Sequence, residues 1–245
     1  LRFDGPSCIT ALPDGELCVA DTKNHRLVIL TPEGQARAYL YGGDGKDGLK
    51  LPRGVTCDDT ALFVTEVGGS RMRKLRLPEE FRAVGAATPR GAHLGGLSLD
   101  VDVAVEGQLT FPQGLTECDG ELFVCDCEDH RVVVYDALTL RYKRTFGTFG
   151  TEEGGLSYPY SCAIVGLEVL VVDAGNHRVS SFSRASGAFV RCLGGPGDAP
   201  GLFRGPRGIA TLGDGYDKAT VTTKRPPPSA TADGVSTPTS VSRSE

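Results

Sequence analysis

A short apolar segment that follows a proline recurs along the whole chain. Its copies read "DGPSCI", "LPRGVT", "FPQGLT", "YPYSCA" and "GPRGIA", with the prolines at Pro6, Pro52, Pro112, Pro159 and Pro206. Successive prolines are 46, 60, 47 and 47 residues apart. Short apolar runs and tight turns repeated every ~45 residues are typical of propeller blades, which usually have four antiparallel strands. The spacing therefore predicts a β-propeller with four full copies and the start of a fifth.

Each copy can be divided into four strands. In the third copy these are "GLTE", "ELFVCD", "RVVVY" and "YKRTFG". The segments "ECDGEL" and "LPDGEL" place Asp-Gly between apolar runs, which is a strong hairpin signal. A hydrophobic content of 40% is enough to form a core, and 33 glycines with 15 prolines favour short strands over long helices. We therefore expect an all-β fold with almost no helix.

An acidic residue precedes an arginine by five positions in every full copy. The pairs are Asp21 and Arg26, Glu66 and Arg71, Asp126 and Arg131, and Asp173 and Arg178. A histidine comes directly before the arginine in three copies, as His25, His130 and His177. If the acid ends one strand and the arginine begins the next, the two face each other across a hairpin. A catalytic or metal centre needs one copy only, so the recurrence predicts a structural joint with no catalytic or metal-binding role.

The landmarks "P.G", "L.V.D..NHRV" and "FG..G" together resemble the NHL repeat, over roughly residues 1–215. The resemblance is carried best by Asn24-His25-Arg26-Leu27 and Asn176-His177-Arg178-Val179. It implies blades at about 1–47, 48–107, 108–154 and 155–201, with a partial fifth at 202–215. Because NHL repeats build six-bladed propellers, we expect an incomplete ring and a fragment of a longer protein. Closure as a four-bladed ring and completion by another chain are the alternatives.

The sequence departs from the repeat in three places. The second copy carries Gly68, Gly69 and Ser70 where the others have an Asn-His type of loop. Residues 78–110 contain an insertion, which is either a partner-binding segment or an inert connection. Residues 216–245 are rich in Ser, Thr and Pro, so we expect a disordered tail.

The resemblance implies a binding module, because NHL propellers mostly serve as interaction platforms. We therefore expect a non-enzymatic scaffold whose face loops contact a protein partner. Such propellers are often fused to ubiquitin-ligase modules and select their substrates, although this chain lacks RING-type cysteine spacing. No cofactor is expected, and the compartment is left open with the cytoplasm favoured.

RNA binding is the first alternative, since some NHL propellers bind RNA. The segment "SRMRKLRL" crowds Arg71, Arg73, Lys74 and Arg76 onto one strand, and phosphate contact needs such density. Arg141, Lys143 and Arg144 lie at the corresponding end of the third copy. Strand alternation divides these charges between two faces, which favours an ordinary solvated strand. The net charge of −5 argues against a uniformly basic surface, and DNA binding is not expected.

A metal-dependent hydrolase or lyase is the second alternative, because related six-bladed propellers hold a metal on the central axis. A catalytic zinc usually needs three side-chain ligands. Three of the four histidines lie in the repeat loop, which leaves only His93 outside it. The sequence offers no candidate ligand set, so we expect no enzymatic activity.

Eight cysteines are present, and none of them forms a C-x-x-C pair. Several lie in apolar runs, so we expect buried free thiols that act as small hydrophobic residues. Cys125 and Cys127 are two apart and could alternatively form a redox or metal-binding pair. No apolar stretch approaches the roughly 18 residues of a membrane span, so no membrane association is expected.

Overall fold

The computed structural model describes residues 2–41, 48–77, 81, 94–98, 101–106, 108–212, 218–223 and 239–242. These residues form an all-β structure in which the first strand of every copy begins at the predicted proline. Helical structure in the described ranges is limited to short 3-10 turns such as Thr22–Asn24, Val67–Gly69 and Ala174–Asn176. The predicted all-β fold of repeated four-stranded antiparallel blades is confirmed.

The first two sheets occupy the N-terminal half of the chain. The first contains β1 (Pro6–Ala11), β2 (Leu17–Asp21), β3 (Arg26–Leu30), β4 (Ala36–Tyr41) and β8 (Leu94–Ser98), in that order. The second contains β5 (Pro52–Cys57), β6 (Ala61–Glu66), β7 (Arg71–Arg76) and β9 (Val101–Glu106), in that order. In both sheets the first three strands are consecutive in sequence, as a repeated meander requires.

The remaining sheets follow the same pattern. The third contains β10 (Pro112–Cys118), β11 (Glu121–Asp126), β12 (Arg131–Asp136) and β13 (Tyr142–Phe146). A small parallel pair of β14 (Thr148–Phe149) and β15 (Gly155–Leu156) comes before the fourth sheet of β16 (Pro159–Val165), β17 (Glu168–Asp173), β18 (Arg178–Ser183) and β19 (Phe189–Leu193). The fifth contains β20 (Pro206–Leu212), β21 (Lys218–Thr223) and β22 (Thr239–Ser242).

The segment 78–110 is more than a connecting loop. Its strand β9 pairs with β7 and is the fourth strand of the second sheet, while β8 adds to β4 in parallel. Most of its other residues lie outside the described ranges. Removing the whole segment would therefore also remove a blade strand, so its deletion would not test partner binding alone.

Two short strands lie within residues 216–245, the segment that the sequence predicts to be a disordered tail. Strand β21 pairs with β20, and β22 pairs with β21. The segment "ATVTT" in β21 is rich in β-branched residues, which favour strands. The rest of the tail lies outside the described residues.

The "P.G" motif has a steric origin. The first strand of four sheets carries a register shift just after its proline, as at Pro52/Val55 and Pro206/Gly208. A Cβ atom at Gly54 would lie 2.5 Å from the Gln113 carbonyl oxygen and 2.9 Å from the Thr65 hydroxyl. The Gly54 N–H instead donates to Thr65 Oγ1 at 2.8 Å. A bulge with close backbone approach therefore requires glycine at this position.

The chain divides into two compact units, Leu1–Val124 with Val134–Lys143 and Cys125–Val133 with Arg144–Glu245. A cluster that includes Leu27, Leu40, Leu62 and Phe81 forms the main core of the first unit. Leu170, Val179, Phe203 and Val221 form a core cluster in the second unit. In the part of the chain that the structure describes, none of the helical segments has the length and apolar character needed to cross a membrane.

Candidate functional site

The repeated acid and arginine meet in all four full copies. Three of the pairs are direct cross-strand neighbours: Asp21 with Arg26, Glu66 with Arg71, and Asp173 with Arg178. Their nitrogen–oxygen distances are 2.8, 2.7 and 2.8 Å, and the Asp126–Arg131 pair lies at 3.0 Å. All four carboxylates are fully buried. A buried charge needs such a partner, so each pair holds the end of its hairpin together.

Three of these carboxylates also hold the chain that leads into their own blade. The N–H of the residue two before the blade's proline donates to it, from Asp4 to Asp21 at 2.8 Å and from Lys50 to Glu66 at 2.5 Å. Ser157 does the same to Asp173 at 2.6 Å. The acid therefore closes the hairpin and fixes the start of the blade at the same time.

The histidines link one blade to the next. Each lies in the left-handed region, with φ of 54° at His25, 54° at His130 and 56° at His177. Each Nδ1 accepts a hydrogen bond from the N–H of the residue directly before the next blade's proline. The distances are 3.1 Å from Leu51 to His25, 3.0 Å from Tyr158 to His130 and 2.9 Å from Gly205 to His177. The imidazole therefore acts as a hydrogen-bond acceptor for the backbone at the start of the next blade.

The residues that donate to the histidines also have positive φ. The angle is 51° at Leu51, 52° at Tyr158 and 52° at Gly205. Glycine tolerates this conformation, but other residues are strained by about 1–2 kcal/mol. The histidine of the preceding blade therefore holds the backbone before each of these prolines. Before Pro52 and Pro159, the acid of the proline's own blade holds it as well.

The second copy is linked to the next blade by a serine in place of the histidine. Ser70 keeps the left-handed backbone, with φ of 47°, but its hydroxyl donates to the Thr110 carbonyl at 2.9 Å. The buried acid of this copy is Glu66, whose carboxylate accepts the Nε–H of both Arg71 and Arg73 at 2.7 Å. The longer glutamate side chain can thus hold two arginines, of which Arg73 is only 2% exposed.

The hydrogen bonds around Asp21 change its acidity. Burial works to raise its pKa, but donation from the Asn24 side chain, the Asp4 N–H and Arg26 outweighs burial and holds the pKa below its ordinary value. The Asn24 and Arg26 bonds are both 2.8 Å long. The folded state therefore favours the ionised carboxylate.

The basic strand proposed for RNA contact is largely buried. Arg71 and Arg73 bind Glu66, and Lys74 is 6% exposed, with its Nζ donating to the Leu138 carbonyl at 3.0 Å. Arg76 is exposed. The structure thus corrects the expectation of a solvated strand, because three of its four cations are used inside the fold. This arrangement does not favour phosphate contact at β7.

The corresponding cations of the third copy are also engaged. Lys143 Nζ lies 2.5 Å from Glu121, and Arg144 donates to the Arg184 carbonyl at 2.6 Å. Arg141 is exposed. Lys143 and Arg144 thus form an ion pair and a backbone contact, so this end of the third copy does not provide a dense free basic patch either.

All eight cysteines are free thiols. Cys125 and Cys127 are both buried, and Cys127 lies beyond the end of β11. A hydrogen bond with Cys162 and burial raise the pKa of Cys125 well above its ordinary value. Burial also raises the pKa of Cys57 to about 11. A thiol that resists ionisation is a poor nucleophile and metal ligand, so these cysteines have the properties of core residues.

Within the described ranges, no group of three or more His, Cys, Asp or Glu side chains is arranged to hold a metal ion. The repeat histidines contribute their Nδ1 atoms to backbone bonds. His93 lies outside the described residues. A polar pocket beside the first hairpin is lined by Arg2, Phe3, Asp4, Asn24, Arg26 and Tyr39.

Sequence spacing could predict the acid–arginine pairs, but not the histidine bonds. Leu51 follows His25 by 26 residues, and Tyr158 follows His130 by 28. No local periodicity connects positions so far apart. The sequence does contain one signal for these bonds, because each histidine in a hairpin loop is followed 27 to 29 residues later by the proline that begins the next copy.

These joints and sheets define a repeat protein of the β-propeller class. The sequence matches the NHL repeat over residues 3–30 and 109–135, so the chain contains NHL repeats in its first and third copies. No curated protein sequence matches the chain significantly. The fold therefore supports a binding or scaffold type of module, which is the common use of rigid propellers with variable loops.

The solved structures that resemble this chain include propeller-type proteins, namely virginiamycin B lyase and a nidogen/laminin chain. Hydrazine synthase of Kuenenia stuttgartiensis has a TM-score of 0.60 at 13% identity, covering 90% of this chain and 56% of that one. Virginiamycin B lyase from Staphylococcus aureus has a TM-score of 0.58 at 14% identity, covering 89% and 62%. A chain of a nidogen/laminin complex has a TM-score of 0.57 at 19% identity, covering 78% and 64%.

This chain spans 56% to 64% of the length of these three proteins. At such low identity the likeness shows the fold alone. The same scaffold occurs in a lyase and in a chain of a protein–protein complex, so it carries neither activity nor partner to this chain.

Proposed function

We propose that this chain is a non-enzymatic binding module that presents its face loops to a protein partner. The observation that carries the proposal is the use of the acid–histidine–arginine group. In each described case these side chains bind backbone groups or one another, and the acid–arginine pair recurs in all four full blades. Side chains that bind in this way stabilise the scaffold, and the loops between strands are then its variable, exposed part.

The proposal includes a role in selecting substrates for a ubiquitin ligase. Support for that role is by analogy with other NHL propellers, and the catalytic modules of such an assembly would lie outside this chain. RNA binding is less well supported, because the basic side chains of β7 are largely used within the fold.

The test uses the whole chain as an immobilised bait, followed by reconstitution with each captured protein in purified form. Calorimetry should give a defined stoichiometry and a Kd of ~10 μM or tighter for at least one of them. A 20-nucleotide RNA in place of the protein should give no salt-sensitive retention on a filter. Retention of RNA without any reconstituted protein complex would contradict the proposal.

A further inference from the structure

Three ring side chains meet at the surface of the second unit. The His130 ring lies 4.7 Å from Phe149 and 4.7 Å from Tyr158, measured between ring centroids. Phe149 is 70% exposed and Tyr158 is 48% exposed. We call these three residues the aromatic junction. It offers two large rings to solvent beside a loop of the propeller.

The aromatic rings are not required for the blade link at this point. The matching link from His177 to the Gly205 N–H is 2.9 Å long, against 3.0 Å from His130 to Tyr158. Phe149 comes two residues after Gly147, and the corresponding residue two after Gly194 is Pro196. The same joint thus forms with a proline and a glycine where the aromatic junction has two rings.

Tyr158 also carries a local conformational cost. Its φ of 52° equals that of Gly205, which occupies the same place in the next copy. A left-handed tyrosine is destabilised relative to glycine, and half of its surface remains in water. A strained and exposed aromatic side chain that the fold does not need is typical of an interaction site.

The loops that carry the rings are acidic. Glu128 and Asp129 come directly before His130, and Glu152 and Glu153 follow Phe149 within the same turn. All four acidic residues are exposed. The surroundings of the aromatic junction are therefore negative as well as aromatic.

The neighbouring arginines already have partners within the chain. Arg131 binds Asp126 at 3.0 Å and Asp129 at 2.9 Å. Arg178 binds Asp173 and donates to the carbonyls of Thr151, Glu152 and Gly155. These arginines shape the loop, while the exposed Glu128 and Glu153 can attract a cation from outside. Glu152 is also exposed, with one carboxylate oxygen accepting the Thr151 N–H at 3.0 Å.

We propose that the aromatic junction is the docking surface for a basic peptide segment of a partner protein. A lysine or arginine of the partner would lie over the rings of Phe149 and Tyr158, where cation–π attraction is favourable. The acidic residues would form the charged rim that steers the segment. This inference rests on the proposed binding function and specifies the partner's chemistry. The carboxylates disfavour RNA, although exposed rings can also stack on bases.

The experiment uses the whole chain and three fluorescent probes. They are a four-fold Arg-Gly-Gly peptide, a matched Glu-Gly-Gly peptide and a 12-nucleotide oligouridine. The variants are Phe149→Ala, Tyr158→Gly and the double charge reversal Glu152→Lys/Glu153→Lys. Leu167→Ala is the control, because Leu167 is 76% exposed and lies at the other end of β16. Circular dichroism and thermal unfolding check that each variant folds.

We expect only the arginine peptide to bind, with affinity that falls as salt rises. Phe149→Ala and Tyr158→Gly should each weaken it at least ten-fold, and Tyr158→Gly should leave thermal stability intact because glycine suits the backbone there. The charge reversal should weaken binding and flatten the salt dependence. Leu167→Ala should have no effect.

Three outcomes would overturn the inference. They are no arginine-peptide binding by the folded wild type at 1 mM, equal binding by the wild type and Phe149→Ala, or oligouridine binding that needs the same rings. If a reconstituted partner protein still binds Phe149→Ala normally, the proposed binding function stands and the docking surface lies elsewhere. If no protein partner can be reconstituted at all, the proposed function itself fails.

Discussion

The histidine loops and the Ser70 loop reach the same result through different chemistry. His25 accepts a backbone N–H from the start of the next blade, whereas Ser70 donates its hydroxyl to a backbone carbonyl there. Both residues adopt positive φ, and both lie between a buried acid and its arginine. The left-handed loop end and the ion pair are therefore the constant parts of the joint. The imidazole is one of two side-chain groups that bind the backbone at the start of the next blade.

The Ser70 copy depends more heavily on charge. Its Glu66 binds two arginines and one backbone N–H, whereas Asp21 of the first copy binds one arginine, one asparagine and one backbone N–H. If this distinction holds, the two copies should respond differently to neutralising their acids.

Glu66→Gln should have the largest effect, a loss of about 3–5 kcal/mol in the free energy of unfolding. The change leaves Arg73, which is 2% exposed, without its buried counter-charge. Urea unfolding followed by circular dichroism measures the loss. A loss below about 1 kcal/mol would mean that the charge of Glu66 contributes little to the stability of the buried Arg73.

Asp21→Asn should cost about 2–3 kcal/mol, because three hydrogen bonds to a charged group are weakened. The pKa of Asp21 lies below its ordinary value, so its stabilising contribution is complete above the unfolded-state pKa of about 3.9. That contribution is lost as the pH falls through the lower folded-state pKa.

Urea unfolding of wild type and Asp21→Asn at several pH values tests both points. The difference in stability should be constant from about pH 7 to pH 5 and shrink below about pH 4. A difference that grew at acid pH would contradict the direction of the shift.

The hydrogen bonds that His25 and Ser70 make to the next blade should differ less in their contribution to stability. His25→Gly should destabilise the chain by about 0.5–1 kcal/mol more than Ser70→Gly. Both changes remove a side chain from a left-handed position, so relief of backbone strain is matched. His25→Gly leaves an amide donor without its acceptor, while Ser70→Gly removes one donor from a carbonyl. Equal losses of stability for His25→Gly and Ser70→Gly in paired thermal unfolding experiments would show that the two hydrogen bonds contribute alike.

The smallest effect should be at the residue before the proline. Leu51→Gly should change stability by less than about 0.5 kcal/mol, because glycine relieves the strain at φ of 51° while losing side-chain contacts. Phe111→Gly is the matched change in the blade that follows Ser70, and Phe111 lies outside the positive-φ residues of the described chain. It should cost about 1 kcal/mol. The same effect at both sites would show that the two blades begin in equivalent ways.

The sequence is most informative where a pattern recurs along the chain or acts over a short distance. The proline spacing predicted the start of five first strands, and the five-residue spacing predicted which acid meets which arginine. The first rule is a repeat signal. The second follows from hairpin geometry, which neighbouring residues fix.

Longer-range features could not be read in the same way. Lys74 is buried because Phe63 and the Leu138 carbonyl lie over it, and these contacts depend on packing between strands. The partners of the histidines lie in the next copy, and β21 forms because a β-branched segment can pair with β20. Composition and spacing contain no information on such pairings until the blades are in place.

The repeat histidines are hydrogen-bond acceptors for the backbone of the next blade. The most direct test is a scalar coupling across the hydrogen bond, measured by NMR on ¹⁵N-labelled protein, between each histidine Nδ1 and the amide nitrogen that donates to it. We predict couplings for His25 with Leu51, His130 with Tyr158 and His177 with Gly205, with all three rings in the Nε2–H form. Rings protonated at Nδ1, or Nδ1 signals that shift together on addition of zinc, would contradict the account.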